Sequence, residues 1–371
     1  MVPASTAIEF IVRPCKKSGK VGRITFNEDH LMQFGLFCSP KADAPGFAPE
    51  TGQGFRDFLE YNIEAEALGF HSSFSVEHHF SGWNQASATL MLLMALAMRT
   101  RTLRVGTAVM VLPWHHPVLL AEQVATLDLL SGGRFDFGIG KGYRHSEFNG
   151  FQIKPEEAEA RFEEALAFIT RAFTTRERFS HKGQFWHFED VVVEPPPAQS
   201  PHPPYWVAAG NPHSIARAGE RGFNLILDQY ASPQTLAQRI AVYKAAREKA
   251  GLGFDPMQVT VARQLYIAKD EADKQEALAR QAQYTKRTID VARDPKAKGG
   301  SHVLAYADKA GATEENALYG TPDEIASMLE ALRDAGVAYI LLTIAGGAPQ
   351  MRRFARETMP AFAAERPAAA E

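Results

Sequence analysis

Cysteine is nearly absent: Cys15 and Cys38 are the only two in 371 residues. Two cysteines build no disulfide framework, and no CxxC or Cys/His spacing offers a zinc site, so no metal is expected. A reducing, cytoplasmic setting is the simplest expectation. Long apolar runs are also missing. The most apolar stretch, residues 88–98, is too short to span a bilayer and runs into Arg99-Thr100-Arg101. The first residues lack a charged segment followed by a long apolar one, so no secretory signal is expected. Charge of one sign is lacking too. Lys and Arg number 40 against 43 Asp and Glu, interspersed, which leaves neither a basic stripe for nucleic acid nor an acidic tail. Repeats and low-complexity tracts are absent as well. What remains is a globular composition, long enough for one large barrel or two medium domains.

The apolar residues that are present fall into an alternating rhythm. Gln33-Phe34-Gly35-Leu36-Phe37-Cys38 predicts a strand. Phe55, Phe58, Leu59, Ile63 and Ala67 fall near helical spacing, and Gly69 ends that helix. Residues 70–76 predict a second strand that runs into Glu77-His78-His79-Phe80. The same reasoning places further strands over 103–112, 134–139, 205–209, 223–227, 259–268 and 337–344. Helices fall between and after them, several opening on proline: 86–98, 117–130, 155–173, 212–220, 233–250, 322–335 and 349–362. Alternating strands and helices fit a doubly wound sheet or a closed barrel, and eight repeats favour an α/β fold of the (β/α)8, or TIM-barrel, kind. Two insertions interrupt the rhythm. One is a hairpin near 179–193, turning at Lys182-Gly183; the other is a polar, irregular stretch over 270–320 that reads as a lid. Residues 1–31 stand apart as an N-terminal extension, the barrel domain covers 32–365, and 366–371 form a tail.

The helix over 86–98 is apolar on every side. An outer barrel helix needs one apolar stripe, so a second apolar face asks for a second cover. A homodimer packed through this helix, with the helix from Pro117, is the expected cover; the N-terminal extension is the alternative one.

Barrel enzymes carry their chemistry where strands end and βα-loops begin. Polar residues cluster there: Glu77, His78 and His79; His115 and His116; Lys141, Tyr143, Arg144 and His145; Asn211, His213 and Ser214; Asp228, Gln229 and Tyr230. A histidine in such a place can move protons near neutral pH. Adjacent histidines on a strand point to opposite faces, so one of His78 and His79 faces the pocket; spacing alone does not say which. Two features point to a phosphate. Ala208-Ala209-Gly210-Asn211-Pro212-His213-Ser214 ends a strand in small residues and opens a helix, whose first N–H groups are free to meet an anion. Gly138-Ile139-Gly140-Lys141-Gly142 lacks the third glycine of a dinucleotide fingerprint, but Lys141 can supply charge. Arg161 either adds to that charge or lies on a solvated helix face. A metal-dependent hydrolase would use His78 or His79 with His115 and His116, yet the HxH spacing and a clear partner are missing. Trp83, Trp114, Tyr143 and Tyr230 in the loops point to a small apolar organic substrate.

Five blocks, taken in order, resemble the bacterial luciferase-like, flavin-dependent monooxygenase family. They are Met32-Gln33-Phe34-Gly35-Leu36-Phe37, Glu77-His78-His79-Phe80, the run from Val105 through Pro113 and His116-Pro117 to Ala121-Glu122-Gln123, the run from Ser131-Gly132-Gly133-Arg134-Phe135 to Gly142, and the run from Pro204 to Ser214. The resemblance implies a TIM barrel that binds reduced FMN, delivered by a separate flavin reductase, and uses O2 through a flavin hydroperoxide shielded from water. By position it gives His78 the catalytic role. It sets Ala108 and Val109 against the flavin ring, at a strand end where a non-proline cis bond is common. It places Lys141, Arg161, Gly210, Asn211 and Ser214 at the phosphate, and Gly140 where luciferase has a cysteine. His79 then becomes structural and Glu77 supports the site from behind. Relatives using a deazaflavin share the barrel, so hydride transfer with that cofactor is the alternative, and a non-catalytic flavin-binding protein is another. Neither nucleic acid nor a membrane is an expected partner.

Overall fold

The structure is a computed structural model that describes residues 31–42, 51–82, 86–292, 311 and 314–363. The strands expected within 1–31, the tail 366–371, Trp83 and most of 293–313 lie outside the described residues. The strands are β1 Gln33–Phe37, β2 Ser72–Ser75, β3 Arg104–Thr107, β4 Met110–Val111, β5 Phe135–Gly140, β6 Phe179–Lys182, β7 His187–Val191, β8 Tyr205–Ala208, β9 Asn224–Leu227, β10 Val259–Ile267, β11 Leu318–Gly320 and β12 Tyr339–Ile344. Eight of them close a parallel ring in the order β1, β2, β3, β5, β8, β9, β10, β12 and back to β1. The expected (β/α)8 barrel is therefore present. Its helices are α1 Gln53–Ala67, α2 Thr89–Arg99, α3 Pro117–Leu130, α4 His145–Gly150, α5 Ala158–Thr174, α6 Pro212–Glu220, α7 Pro233–Lys249, α8 Glu271–Ala292, α9 Pro322–Asp334 and α10 Ala348–Glu357.

Strand alternation separates two apolar layers. Phe74, Trp206, Ile226, Tyr339 and Leu341 fill the barrel interior, with Phe74 and Trp206 edge to face at 5.7 Å. Gly106 makes this possible, because a Cβ there would lie 2.6 Å from the Phe74 ring. The alternate strand residues and the inner helix faces form the larger layer, among them Phe34, Leu36, Val105, Phe135, Phe137, Leu225, Ile340 and Leu342. Each such side chain contributes about 1.5–3 kcal/mol on burial. At the end where the strands begin, Arg104 pairs with Asp136 at 2.8 Å and the Trp206 indole donates to the same carboxylate. These contacts cross-link the strand starts, and barrel enzymes carry their chemistry at the opposite end.

Three stretches differ from the sequence expectation. The third strand is broken: β3 and β4 flank a cis peptide bond between Ala108 and Val109, and a 3-10 turn, Leu112–Trp114, replaces its end. The lid stretch 270–320 is partly regular, holding α8 and β11, and β11 pairs with β10 outside the ring. Its polarity hid a helix rich in Ala, Glu, Lys, Gln and Arg, all strong helix formers. The short α4 falls in a stretch read only as strand-end polar residues. The hairpin forms as expected, with β6 and β7 antiparallel.

Candidate active site

The loop after β2 is built around two buried carboxylates. Glu77 is 1% exposed and acts as a hub. Its Oε1 lies 3.0 Å from His79 Nε2 and 2.7 Å from His115 Nε2, and its Oε2 accepts from Val111 N at 2.6 Å. Burial opposes ionisation of Glu77, but the bonds from His115, His79 and Val111 outweigh it and hold the carboxyl below its usual range. Glu147, also 1% exposed, comes from α4. Its Oε1 lies 3.1 Å from His78 Nδ1 and accepts from His79 N at 3.0 Å. His78 N donates to Ala86 O, and the Thr89 hydroxyl donates to Val76 O, so the start of α2 clamps the same loop.

The two histidines thus separate by partner. His79 turns back on Glu77 and packs edge to face on Phe151 at 4.7 Å, beside Phe80. His78, in the loop after β2, turns to Glu147 and meets Tyr143 edge on at 6.2 Å. Burial lowers the His78 pKa below its ordinary value, and Arg144 adds to this; Glu147 and Glu77 oppose it. A carboxylate at Nδ1 fixes the proton on that nitrogen and leaves the Nε2 lone pair available.

Ala108 and Val109 are half-buried and, with Phe37, cover the interior cluster from above. Gly140 is pressed against Val109, since a Cβ there would collide with Val109 Cγ2. These residues make an apolar ledge at the mouth. On the rim, Lys141 is exposed and pairs with Glu159, which also holds Arg217 of α6 at 2.9 Å. Asn211 caps α6, its Oδ1 accepting from Ser214 N at 2.9 Å, and Gly210 lies buried just before it. Glu159 thereby links Lys141 to Arg217 in the last turn of α6. Arg161 is held elsewhere: it pairs with Glu157 at 2.9 Å and lies 4.3 Å from the Phe185 ring of the hairpin loop.

The aromatic residues divide likewise. Tyr143 lies beside His78, and Tyr230 is buried, its pKa pushed up to about 12 by burial, with Tyr143 near enough to add to the shift. Trp114 stacks on Phe151 at 5.2 Å and meets Phe148 edge on at 4.6 Å, which places it in the cluster around His79. Trp83 lies outside the described residues. Glu147 was missed by the sequence reading because the turn of helix that carries it, α4 in the loop after β5, was unforeseen. Among the described residues no group of three or more His, Cys, Asp or Glu is arranged to hold a metal, and no helix is long and apolar enough to cross a membrane.

A closed (β/α)8 barrel with a carboxylate-held histidine at the carboxyl ends of its strands defines a barrel enzyme. Residues 32–339 match the family model described as luciferase-like monooxygenase, and the chain belongs to that family of oxidoreductases. The oxygenase component of a flavin-dependent trigonelline monooxygenase from Acinetobacter baylyi is 28% identical over 61% of this chain and 62% of its own length. In three curated relatives, that one included, the matched part is 62, 63 and 68% of the relative. Among solved structures, monooxygenase RslO1 from Streptomyces bottropensis superposes with a TM-score of 0.76 at 30% identity, over 90% of this chain and 100% of that one. Two others share the fold at 19% identity. One is the oxygenating constituent of 3,6-diketocamphane monooxygenase from Pseudomonas putida, in complex with FMN (TM-score 0.70, over 91% of this chain and 100% of that one). The other is an F420-dependent secondary alcohol dehydrogenase (TM-score 0.73, over 90% and 100%).

Proposed function

We propose that the chain is the oxygenase of a two-component flavin monooxygenase, taking reduced FMN from a separate reductase and oxygenating a small organic substrate with O2. The observation that carries this is the pairing of His78 with buried Glu147 at a mouth whose floor is the apolar Ala108–Val109 ledge. The fit to the cofactor is chemical. The ledge and Gly140 suit a flat apolar ring; Gly210, Asn211, Ser214 and the exposed Lys141 ammonium suit a phosphate. Arg161 joins that set only by leaving Glu157. Bound reduced FMN would supply the electrons for O2.

The chain's own part is orientation, exclusion of water and proton handling. His78, neutral near pH 7 because burial lowers its pKa, offers Nε2 to accept or return a proton at the reacting oxygen. Glu147 fixes its tautomer. Tyr143 and Tyr230 line the substrate side, and Trp114 stiffens the loop behind them. The relative described as an oxygenase component supports a reductase partner. Met91, Met98, Leu119, Leu129 and Leu130 are exposed on α2 and α3, which supports a homodimer through those helices.

The test is a parallel titration with reduced FMN and reduced deazaflavin, followed by oxygen-consumption assays. Tight FMN binding with O2 uptake supports the reading; preference for deazaflavin with no O2 uptake replaces it with hydride transfer. His78→Ala should keep FMN affinity and lose about a hundredfold or more in turnover. Retained turnover would remove the catalytic assignment.

A further inference from the structure

Arg144 joins β5 to α4 and is 3% exposed. Its carbonyl accepts from Glu147 N at 3.1 Å and Phe148 N at 3.2 Å, so its backbone is fixed as the cap of the α4 turn. The Arg144 Nε and Nη1 atoms are enclosed and have no hydrogen-bond partner among the described residues. Glu147 Oε1 approaches Nη1 only to 3.9 Å, beyond hydrogen-bond reach, and already serves His78 and His79. A guanidinium does not shed its proton to escape burial, and each buried, unpaired N–H costs about 1–3 kcal/mol. Two enclosed guanidinium N–H groups without a partner among the described residues mark a place where an acceptor is called for.

The place of the guanidinium identifies that partner. It lies 5.9 Å from the Tyr143 ring, and its Nη1 lies 3.9 Å from the Glu147 carboxylate that holds His78, so it stands on the proposed substrate side of the mouth. The cofactor's phosphate has a separate candidate site on the exposed rim, at Lys141 and the first turn of α6. We infer that Arg144 receives an anionic oxygen of the organic substrate, a carboxylate or a group of the same shape and charge, and so positions the substrate beside His78. The inference rests on the oxygenase reading and sharpens it: the substrate has an apolar body with an acidic head. A planar carboxylate matches the donor edge of a guanidinium, and exclusion from water strengthens the contact.

The experiment uses wild type, Arg144→Met and Arg144→Lys, each checked for folding by melting temperature. Acetate, benzoate and nicotinate are titrated against the protein with FMN bound, alongside their neutral amides. Wild type should bind at least one carboxylate tenfold or more tightly than its amide, about 1.4 kcal/mol. Arg144→Met should abolish the preference, Arg144→Lys should restore part of it, and all three proteins should bind FMN alike. Equal binding of acid and amide by wild type, or no binding of either, overturns the inference. Weakened FMN binding in Arg144→Met with the acid preference intact also overturns it, by assigning Arg144 to the cofactor. Failure of every protein to bind FMN would instead remove the oxygenase reading, which separates the two failures.

Discussion

Glu147 Oε1 and His78 Nδ1 lie 3.1 Å apart, the carboxylate from a six-residue helix after β5 and the imidazole from the loop after β2. The pair joins two βα-loops and sets which ring nitrogen of His78 carries the proton. Glu147 is a positioning residue, since it acts through His78. Glu147→Gln should reduce kcat at least about tenfold with a much smaller change in FMN affinity. The carboxylate favours imidazolium and opposes the lowering by burial, so its removal lowers the His78 pKa further. The acid limb of the kcat/KM profile should move to lower pH. An unmoved limb would show that Glu147 only packs the loop.

Acid should destabilise the fold in two stages. The His78 pKa is lowered in the folded state, chiefly by burial, so the unfolded chain binds the proton more readily. Stability held above about the ordinary value of 6.5 is lost as pH falls below it. Glu77 is also lowered, so its contribution is complete above 4.5 and is lost as pH falls further. Melting temperature should therefore decline as pH falls below about 6.5 and decline again as it falls below about 4.5. His78→Ala should flatten the upper stage. Glu77→Gln should lower stability at pH 7, since it breaks the hub for His79, His115 and Val111, and should flatten the lower stage. A Glu77→Gln protein as acid-sensitive as wild type would contradict this account.

Lys141 and Glu159 supply a different kind of test. Their side chains are 58% and 48% exposed, so the pair is screened and adds little to stability. A phosphate arriving at the α6 N-terminus must compete with Glu159 for Lys141. Lys141→Met should weaken FMN binding about three- to tenfold and reduce its salt dependence. Glu159→Gln should leave FMN binding equal to wild type or tighter. The measurement is a fluorescence titration at two ionic strengths. Weaker binding in Glu159→Gln would show that Glu159 orders the phosphate loop through Arg217.

Much of the barrel is legible because eight apolar strand segments alternate with helices that open on proline or close on glycine. Pro117, Pro212, Pro233 and Pro322 each mark a helix start in the structure. The less legible parts share a physical cause. α8 is a polar helix with a weak apolar stripe, so periodicity gave no signal although helix propensity did. β3 reads as continuous with β4 from apolar pattern alone; the cis bond between Ala108 and Val109 was implied by the family resemblance and is present. In the site, His78 and Lys141 stand at strand ends and could be found by position. Glu147 is recognisable only once α4 meets the loop after β2, and the Glu77 hub needs His115 from another loop. Tertiary partners of buried carboxylates leave no local pattern.

The apolar face of α2 and α3 makes the last prediction. Met91 is 76% exposed, Leu119 56% and Leu130 54%, on two helices that pack together and also bury Leu93, Leu96, Val124 and Leu127 against the barrel. Leaving such residues in water forfeits about 25 cal/mol for each Å² that a partner would cover. A second copy related by a two-fold axis would bring the same pair of helices to this face, the self-complementary arrangement usual in homodimers. Wild type should therefore show the mass of two chains in light scattering at micromolar concentration. Met91→Glu with Leu130→Glu buries charge in that contact and should give the mass of one chain, with far-ultraviolet circular dichroism unchanged. Exposed Lys141 on the barrel rim gives the control: Lys141→Met should not alter the mass. A monomeric wild type would show that this face is covered by something other than a second copy.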